Sequence, residues 1–502
     1  MSGDDPRMRT LAAALFASCI LGFAGLAGLA HPVAAAEPRA SADAPRLGRL
    51  DDLDRSPDGV PLRLVLALDG IPFDLFREAQ EKGCFASFGS ASRMVSTFPS
   101  LSDVAFSAIG GTEPPDGYQI MRFDRETGRV VGNTMGALGG AEHAHLPADS
   151  RVHGTWHRMM GYMVSARMAM HDLNLIEEDM LASDKATFVG YLEDTDMLMH
   201  VHGHDEGLVF LERLDVSLND LCAEVRTRTG RDLAIDIVSD HGSTMQRGRV
   251  VGVEKVLGEC GFSRAKRLET DDDVAYSLAG IIGSVAITSA PGEADEIAVC
   301  LAPAEGVDLV AWQGGKNVVK VRSTDGVAEI SLVSAEPETY SYRMLEGDPL
   351  ALGESAGIAP DAPRPVIATF VEADLFRSTL DAERPDPLRR LWRAFHGAVK
   401  EPSDVLVSLS DGYEAGNRTV RSLARLRGRS GTHGSMTRLA SLGVIASNWR
   451  DVRDVDAWSA HELLFGADTR AAFVGVDAVD PCSTRAMRRV TTESPPEVTA
   501  ER

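Results

Sequence analysis

The sequence is poor in cysteine. There are 6 cysteines in 502 residues, all but one of them lie beyond residue 36, and no two form a CxxC pair. Structural zinc ribbons are built from such pairs, so the spacing gives no support to this kind of site. The wide intervals leave room for one or two disulfides in an oxidising compartment, but they do not select the pairing.

The sequence also lacks an excess of positive charge. It contains 51 Lys and Arg residues against 74 Asp and Glu residues, which gives a formal net charge of -23. A nucleic-acid-binding surface needs clustered cationic side chains to neutralise phosphates, so the charge disfavours this class of function. A small phosphoester in a pocket remains compatible with it, because bound metal ions set the local potential there.

Long apolar runs are missing except at the N-terminus. There, Arg7 and Arg9 precede an apolar stretch over residues 11–30, and a small-residue sequence ends at Ala36. This pattern predicts a secretory signal over residues 1–36 and an exported protein, periplasmic or extracellular. Two alternatives stay open, an uncleaved membrane anchor and a lipid anchor at Cys19. No later segment is apolar enough to cross a bilayer.

Composition divides the rest of the chain into segments. Residues 37–60 are rich in Pro, Ala, Asp and Arg and predict a linker. Residues 61–470 predict one catalytic domain, in which short runs separated by Gly and Pro turns over residues 262–345 indicate a smaller β-rich insertion. Residues 471–502 are predicted to be a polar C-terminal tail.

Short runs rich in Val, Ile and Leu recur between helical patterns. They cover residues 62–68, 186–192, 233–238 and 404–409. Runs of this kind are typical of buried parallel strands, so the sequence predicts an α/β domain of layered α/β/α type with a mostly parallel central sheet. In such folds, ligands bind beyond the carboxyl ends of the strands.

Acidic residues and histidines follow these runs. One such residue alone is more often a turn or helix cap than a ligand, but carboxylates and imidazoles gathered at one sheet edge are the donors that zinc prefers. The candidate ligands are Asp69, Asp196 and His200 (four residues apart on one helical face), the adjacent Asp240 and His241, and His433 in a Gly-flanked turn. Asp411 also follows a run, and we interpret it as a turn residue.

The hydroxyl-rich turn over residues 94–102 offers candidate nucleophiles. It precedes a helical pattern that reaches about Ile109. A hydroxyl at a helix N-terminus lies where backbone N–H groups favour anions. Serine and threonine before a helix are also ordinary caps, so the turn alone does not identify the group.

The ordered motifs resemble those of the alkaline phosphatase superfamily, and most closely its nucleotide pyrophosphatase/phosphodiesterase branch. The resemblance spans about residues 62–440 and rests on five motifs: Thr97-Phe98-Pro99-Ser100, Gly132-Asn133-Thr134-Met135, the segment Tyr191 to His200, Ser239-Asp240-His241-Gly242 and Gly431-Thr432-His433-Gly434.

The resemblance implies an alkaline phosphatase-like fold with two Zn²⁺ ions, which other divalent cations could replace. One ion would be held by Asp69, Thr97, Asp240 and His241, and the other by Asp196, His200 and His433. Thr97 would be the nucleophile, and Asn133 with the Thr97 backbone N–H would steady the phosphoryl oxygens. The implied reaction is hydrolysis of phosphodiester or pyrophosphate bonds of a small phosphoester through a phospho-threonine intermediate.

Departures from the family pattern leave the substrate open. Ser100 and Thr195 replace the usual Asn and Pro, and the sequence after His433 lacks the usual aromatic-Asp pattern. Hydrolysis of a phosphomonoester or phosphonate on the same metals is one alternative, and a metal-binding protein without turnover is another. The alternative nucleophiles are Ser96, Ser100 and Ser102. No role is assigned to the other clustered histidines, which are His202 and His204, and His143, His145, His153 and His157.

Overall fold

The computed structural model describes residues 62–132, 146–151, 155–278, 281–416 and 431–466. The predicted signal segment, linker and C-terminal tail lie outside these residues, and so does Asn133. Among the helices of the described part, none is both long and apolar enough to cross a membrane.

The strands are β1 (Arg63–Leu68), β2 (Ser92–Val95), β3 (Arg122–Asp124), β4 (Arg129–Val131), β5 (Ser150–Arg151), β6 (Thr187–Leu192), β7 (Ala234–Ser239), β8 (Arg249–Val250), β9 (Ser263–Arg264), β10 (Asp273–Tyr276), β11 (Ile281–Ile282), β12 (Ser284–Ser289), β13 (Val307–Gly315), β14 (Val318–Ser323), β15 (Gly326–Ala335), β16 (Glu338–Gly347), β17 (Val366–Val371), β18 (Val405–Leu409), β19 (Tyr413–Gly416), β20 (Leu442–Ser447) and β21 (Val455–Asp456). The helices are α1 (Phe73–Glu81), α2 (Ser102–Gly110), α3 (Thr155–Ala182), α4 (Asp194–Val201), α5 (His204–Thr229), α6 (Val253–Glu259), α7 (Ala294–Leu301), α8 (Glu372–Thr379), α9 (Pro387–Phe395), α10 (Arg438–Ser441) and α11 (Ala457–Phe465).

The first large sheet has the strand order β21-β2-β20-β7-β1-β6-β5. Its centre is parallel, because β1 pairs in parallel with both β6 and β7, and β5 pairs in parallel with β6. On the other side β20 runs antiparallel to β7 and β2, so the sheet is mixed. Every residue of β1 is buried, which is the burial expected of a strand covered on both faces.

Helices pack against this sheet and complete its core. α3 contacts β6 and α5, and α5 contacts α1. The core joins the apolar residues of β1, β6 and β7 to those of the three helices, including Leu64, Ile176, Leu211 and Ile237. This confirms a mixed α/β architecture at the positions where the sequence predicts its first three buried strands.

The second large sheet is almost entirely antiparallel, in the order β17-β16-β15-β14-β13-β18-β12-β10-β9. Its strands extend from Ser263 to Leu409, so it is larger than the insertion predicted over residues 262–345. The expectation that the run at 404–409 belongs to the parallel sheet is wrong, since β18 pairs antiparallel with β12 and β13. All five residues of β18 are buried, and a fully buried run carries no information about pairing direction.

A disulfide joins Cys260 to Cys300, at the end of α6 and within α7. It is one of the pairings that the spacing left open. Cys84 is a free cysteine of the described part.

The carboxyl ends of β1, β6 and β7 are level. Leu68, the last residue of β1, pairs with Leu192 at the end of β6 and with Ser239 at the end of β7. The segments that follow these strands therefore leave the sheet side by side, as the rule for parallel sheets predicts. They carry Asp69, the helix α4, and Asp240.

Candidate metal centre

Asp69 is fixed at the end of β1 by four hydrogen bonds. Its backbone N–H donates to the Leu192 carbonyl at 3.0 Å, and its own carbonyl accepts from the Thr195 hydroxyl at 2.7 Å. The Tyr191 hydroxyl donates to one carboxylate oxygen, Oδ2, and the Ser102 hydroxyl donates to the other at 2.9 Å. The carboxylate is therefore oriented before any ligand binds.

Gly70 lets the neighbouring helix approach this carboxylate. Its φ angle is +68°, and a Cβ there would lie 2.7 Å from the Asp196 carboxylate. Any other residue would be strained and would push Asp196 away. The Gly70 backbone N–H also donates to Asp240 Oδ1 at 3.1 Å.

Asp240 and His241 directly follow β7, and both are fully buried. Asp240 Oδ2 makes no hydrogen bond, which is costly for a buried carboxylate oxygen and fits a role as a cation ligand. His241 Nδ1 lies 2.9 Å from the Gly242 carbonyl and is thereby assigned as its donor. The other ring nitrogen, Nε2, lies 3.3 Å from Asp240 and 3.5 Å from Asp69.

Asp196 and His200 lie on one face of α4, as their spacing predicts. His200 Nε2 is 3.3 Å from Asp196 Oδ2, and His200 Nδ1 is 2.9 Å from the Gly431 carbonyl. His433 follows the same pattern, with Nδ1 2.8 Å from the Ser100 carbonyl and Nε2 3.7 Å from Asp196 Oδ1.

All three imidazoles thus use Nδ1 on a backbone carbonyl and present Nε2 to the carboxylates. Metal-binding histidines have this arrangement, because a bond to one ring nitrogen fixes the tautomer and aims the other. The rings of His241 and His433 also stack, with centroids 3.9 Å apart.

The structure gathers two overlapping clusters with metal-ligand spacing. One is Asp196, His200 and His433, which the resemblance implies as one site; the other is Asp69, Asp196 and His241. The ligand atoms of each cluster lie within 4.8 Å of one another. Asp240 adjoins the second cluster, because its carboxylate lies 3.3 Å from His241 Nε2. The sharing of Asp196 goes beyond the sequence prediction, which assigns it to one ion only.

The electrostatics of the carboxylates fit bound cations. Burial, followed by the charges of Asp240 and Asp196, raises the pKa of Asp69 well above its ordinary value. Burial also raises the pKa of Asp240 to about 7. Burial acts in the same direction on Asp196, but the His200 and His433 imidazoles outweigh it and lower the pKa of that carboxyl.

No Lys or Arg of the described residues forms an ion pair with these three carboxylates, and the basic groups within ion-pair distance of them there are imidazoles. Burial, followed by the charge of His241, lowers the pKa of His433 to about 3, so this ring is neutral and free to bind a metal. The residues present therefore fit divalent cations.

Among the described residues, the Thr97 hydroxyl makes no hydrogen bond to the side chains of this cluster. Thr97 is 0% exposed, and its hydroxyl donates to the Pro99 carbonyl at 2.9 Å. Ser102, the first residue of α2, is partly exposed, and its Oγ is 2.9 Å from Asp69 Oδ1 and 3.3 Å from His241 Nε2. The assignment of Thr97 as nucleophile and ligand stays a prediction.

Arg390 and Tyr191 are functional candidates that sequence reasoning did not single out. Arg390 is fully buried in α9 and donates to the Thr97 carbonyl at 3.0 Å and the Met436 carbonyl at 3.2 Å. It therefore joins the hydroxyl turn to the loop after His433. Tyr191 is the first residue of the motif Tyr191 to His200, whereas nothing in the pattern of α9 distinguishes Arg390 from a surface arginine.

The other candidate side chains lie apart from the centre. His204 is exposed and pairs with Glu78 and Asp205. The Asp411 carboxylate accepts the Thr437 hydroxyl at 2.6 Å, in keeping with a turn residue. His143, His145 and His153 lie outside the described residues, as does the side chain of His157.

No known protein-family profile and no curated protein matches the chain. Among solved structures, it is similar to murine ectonucleotide pyrophosphatase/phosphodiesterase 5 (14% identity, 80% of this chain and 93% of that chain, TM-score 0.42) and to the human protein of the same name (13%, 80% and 93%, 0.42). It is also similar to phosphonoacetate hydrolase from Sinorhizobium meliloti 1021 in complex with phosphonoformate (13%, 82% and 96%, 0.44). The first two bear the name of the branch that the motifs resemble. These likenesses are distant, so the function of this chain has to follow from its own residues.

Proposed function

We propose that this protein is a metal-dependent phosphohydrolase of the alkaline phosphatase superfamily that cleaves phosphodiester or pyrophosphate bonds of small substrates. The observation that carries the proposal is the convergence of three carboxylates and three Nε2-presenting imidazoles at one sheet edge, beside a hydroxyl at a helix N-terminus. Ligands alone would serve a structural ion, but a hydroxyl in contact with them adds a nucleophile.

Two divalent cations, with zinc as the first candidate, are part of the proposal. Asp196, His200 and His433 would hold one, and Asp69, Asp240 and His241 the other. Carboxylate and imidazole donors are the set that zinc prefers. Two bound cations supply charge that stabilises the attacking and leaving oxygens and lowers the pKa of a nearby hydroxyl.

The chain supplies the rest of the reaction. The Tyr191 hydroxyl and the Gly70 N–H hold the carboxylates of Asp69 and Asp240, and the Thr195 hydroxyl holds the Asp69 backbone carbonyl. A hydroxyl of the turn over residues 97–102 attacks phosphorus, and water then hydrolyses the phosphorylated side chain. The N-terminus of α2 favours the anionic phosphoryl group. Asn133 is proposed to contact a phosphoryl oxygen.

A diester or pyrophosphate is favoured over a monoester by charge. A monoester carries an additional negative charge, which arginine often binds in a bidentate manner. The one arginine noted beside the hydroxyl turn, Arg390, is fully buried and already donates to backbone carbonyls. The predicted signal over residues 1–36 adds export, to the periplasm or outside the cell, to the proposal.

The test combines metal analysis of the purified protein with hydrolysis of bis(4-nitrophenyl) phosphate, 4-nitrophenyl phosphate and phosphonoacetate. We expect about two zinc equivalents per chain and fastest turnover of the diester. Chelation should abolish turnover, and added zinc should restore it. His433→Ala should lose activity and metal, whereas the control His204→Ala should keep both. A purified protein that binds no metal when zinc is supplied, or that hydrolyses none of the three esters with zinc bound, would contradict the proposal.

A further inference from the structure

We propose that Arg390 is a positioning residue of this site. Its buried guanidinium holds the hydroxyl turn (residues 97–102) against the His433 loop (residues 433–437), so that the attacking hydroxyl and a metal ligand keep a fixed relative position. The inference rests on the proposed function, because it concerns the phosphoryl transfer proposed there. It holds for whichever hydroxyl of the turn attacks phosphorus, Thr97 included. Arg390 would act through these two segments and not by contact with the substrate.

The guanidinium of Arg390 donates to five oxygens that belong to four segments of the chain. The two acceptors in the hydroxyl turn are the Thr97 carbonyl at 3.0 Å and Ser100 Oγ at 3.3 Å. The other three are the Met436 carbonyl at 3.2 Å, Ser441 Oγ at 2.7 Å and the Pro385 carbonyl at 3.0 Å. A planar guanidinium presents its donors in fixed directions, so it sets the distances among the groups that it bonds.

The turn that Arg390 holds also supports a metal ligand. His433 Nδ1 lies 2.8 Å from the Ser100 carbonyl, and this contact aims Nε2 at Asp196. The Ser100 hydroxyl in turn donates to the Ser435 carbonyl at 2.9 Å. A displacement of the turn therefore moves the carbonyl on which the His433 ring is fixed, so one guanidinium governs both the hydroxyls and this imidazole.

Arg390 reaches the turn from the antiparallel part of the molecule. α9 contacts β13, β14, β15 and β16 and adds Leu388 and Leu391 to the core that it shares with Phe98 and Met436. The hydroxyl turn follows β2, and the His433 loop leads through α10 to β20, so both belong to the first sheet. Arg390 is thus a polar connection between the second sheet and the two site segments of the first.

The preceding residue, Arg389, provides the contrast. Both side chains are buried in the same helix, with 7% exposure for Arg389 and 0% for Arg390. Arg389 forms ion pairs with Glu338, Glu372 and Asp456 at 3.3, 3.1 and 2.7 Å. Arg390 forms no ion pair within the part of the chain that the structure describes, and its five acceptors are neutral oxygens.

The two arginines also differ in how their charge is held. Burial lowers the pKa of Arg390 to about 9, and the Asp386 carboxylate opposes this effect. At Arg389 burial acts in the same direction, but nearby carboxylates, that of Asp456 foremost, outweigh it and raise the pKa. A buried cation without an ion pair is unfavourable unless its hydrogen bonds compensate. At Arg390 these bonds are the ones that fix the turn and the His433 loop, so the cation and the site geometry depend on each other.

The expected effect on the reaction follows from alignment. In-line attack needs the hydroxyl, phosphorus and the leaving oxygen in register, and a misplacement of about 1 Å can cost about 100-fold in rate. Loosening the turn should slow the chemical step without weakening the binding of a diester. The signature is therefore a fall in kcat with little change in KM.

The experiment compares Arg390→Lys with Arg389→Lys in the zinc-loaded protein, with bis(4-nitrophenyl) phosphate as substrate and at a temperature well below both melting points. An ammonium has three donors and cannot bond all five acceptors of Arg390. We expect kcat to fall by about 10- to 100-fold in Arg390→Lys while KM stays within about threefold of wild type. Arg389→Lys should keep the wild-type kcat, although its melting temperature falls because a lysine cannot pair with all three carboxylates.

Zinc affinity, measured by competition with a chelating dye, gives a readout that does not depend on turnover. Arg390→Lys should bind zinc up to about 10-fold more weakly, because the contact that aims His433 is disturbed but not removed. Arg389→Lys should bind zinc as the wild type does.

Ser441→Ala is a milder variant that tests the inference even if Arg390→Lys does not fold. It removes the acceptor at 2.7 Å and should lower kcat by about 3- to 10-fold, the effect of one hydrogen bond. Its matched control is Ser378→Ala, since this serine bonds the Leu375 carbonyl in α8, and the control should keep the wild-type kcat.

The outcomes separate this inference from the function on which it rests. Wild-type kcat in Arg390→Lys and Ser441→Ala, or equal losses of kcat at positions 389 and 390, overturns the positioning role and leaves the phosphohydrolase proposal in place. A rise in KM at unchanged kcat also overturns it, because Arg390 would then serve substrate binding. A wild-type protein that binds zinc but hydrolyses none of the esters overturns both.

Discussion

The same dipeptide follows two strands of this molecule. β1 is followed directly by Asp69-Gly70, and β18 is followed, after Ser410, by Asp411-Gly412. Both strands are completely buried, and both glycines have positive φ angles, +68° and +79°. Asp69 nevertheless contacts the ligand cluster, whereas Asp411 accepts a hydrogen bond from Thr437.

The neighbouring strands explain the difference. β1 lies between β6 and β7 and runs parallel to both, so three strand ends deliver side chains to one edge. β18 lies between β12 and β13 and runs antiparallel to both, so the neighbouring ends at its carboxyl side are amino ends. Parallel neighbours bring further donors to the Asp69 strand end, whereas the antiparallel neighbours of β18 bring none from their carboxyl ends to Asp411.

The most direct test of this comparison is the pair Asp69→Asn and Asp411→Asn. Asp69→Asn removes a ligand charge, and losing even a partner of a ligand costs up to about 100-fold in metal affinity or activity, so we expect a larger loss. Asp411→Asn keeps an oxygen that can accept from Thr437 and should leave diester turnover and zinc content near wild type. Steady-state kinetics and metal analysis measure both, and equal losses in the two variants would remove the distinction.

Removal of the metals should destabilise one region more than the other. The carboxylates of Asp69, Asp196 and Asp240 are held close together, and cations that bind only the folded state add about 4 kcal/mol at a thousandfold excess over Kd. We expect chelation to lower the melting temperature and to raise amide hydrogen exchange first at the ends of β1 and β7. Exchange in β13 and β18 should change less. Equal changes in the two sheets would contradict a cation site located at the first.

The grouping of the candidate ligands Asp69, Asp196 and Asp240 at one sheet edge could be predicted from the sequence, because each comes soon after a run that is recognisable by itself. β1, β6 and β7 are continuous apolar runs, and parallel strands of this kind place their ends at one edge. The pairing direction of β18 could not be predicted, because it is set by β12 and β13 and not by the run itself. For the same reason the sequence does not show that β17 and β18, which lie beyond the predicted insertion over residues 262–345, join the same sheet.

The hydroxyl that contacts Asp69 depends on where a helix begins, and sequence patterns do not fix that residue. The N-terminus of α2 lies at Ser102, whose hydroxyl donates to Asp69, whereas the assignment of Thr97 as nucleophile stays a prediction. Arg390 cannot be recognised from the sequence for another reason. Four of its five acceptors come from segments distant in sequence, and only the folded chain brings them together.

Each of the two strand ends also has a tyrosine nearby, and substitution of these tyrosines should have smaller effects than substitution of Asp69. Tyr191, at the end of β6, donates its hydroxyl to Asp69, and Tyr413, directly after Asp411-Gly412, donates its hydroxyl to Glu305 at 2.9 Å. Tyr191→Phe should weaken zinc binding or turnover by about 10- to 100-fold, because it frees the Asp69 carboxylate to turn. Tyr413→Phe is the matched control and should change neither quantity. Unaltered kinetics in Tyr191→Phe would show that Asp69 is oriented without this bond.

The smallest expected effect concerns Asp411 itself, whose pKa is raised above its ordinary value by burial, against the lowering effect of the Thr437 hydroxyl. The unfolded chain then ionises first as pH rises, so this carboxyl favours folding below the ordinary carboxyl pKa of about 4 and loses that contribution as pH passes through its raised folded value.

Asp411→Asn cannot ionise, so its stability relative to wild type should increase with pH above about 4, by less than about 1 kcal/mol after solvent screening. Urea unfolding of both proteins in metal-free buffer across this range measures the difference, in which all other titrating groups cancel. A difference that stays flat, or that falls with pH, would mean that Asp411 is not held at a cost when ionised. The turn after β18 would then tolerate the Asp411 charge at no cost, unlike the end of β1, where burial and the neighbouring carboxylates raise the pKa of Asp69.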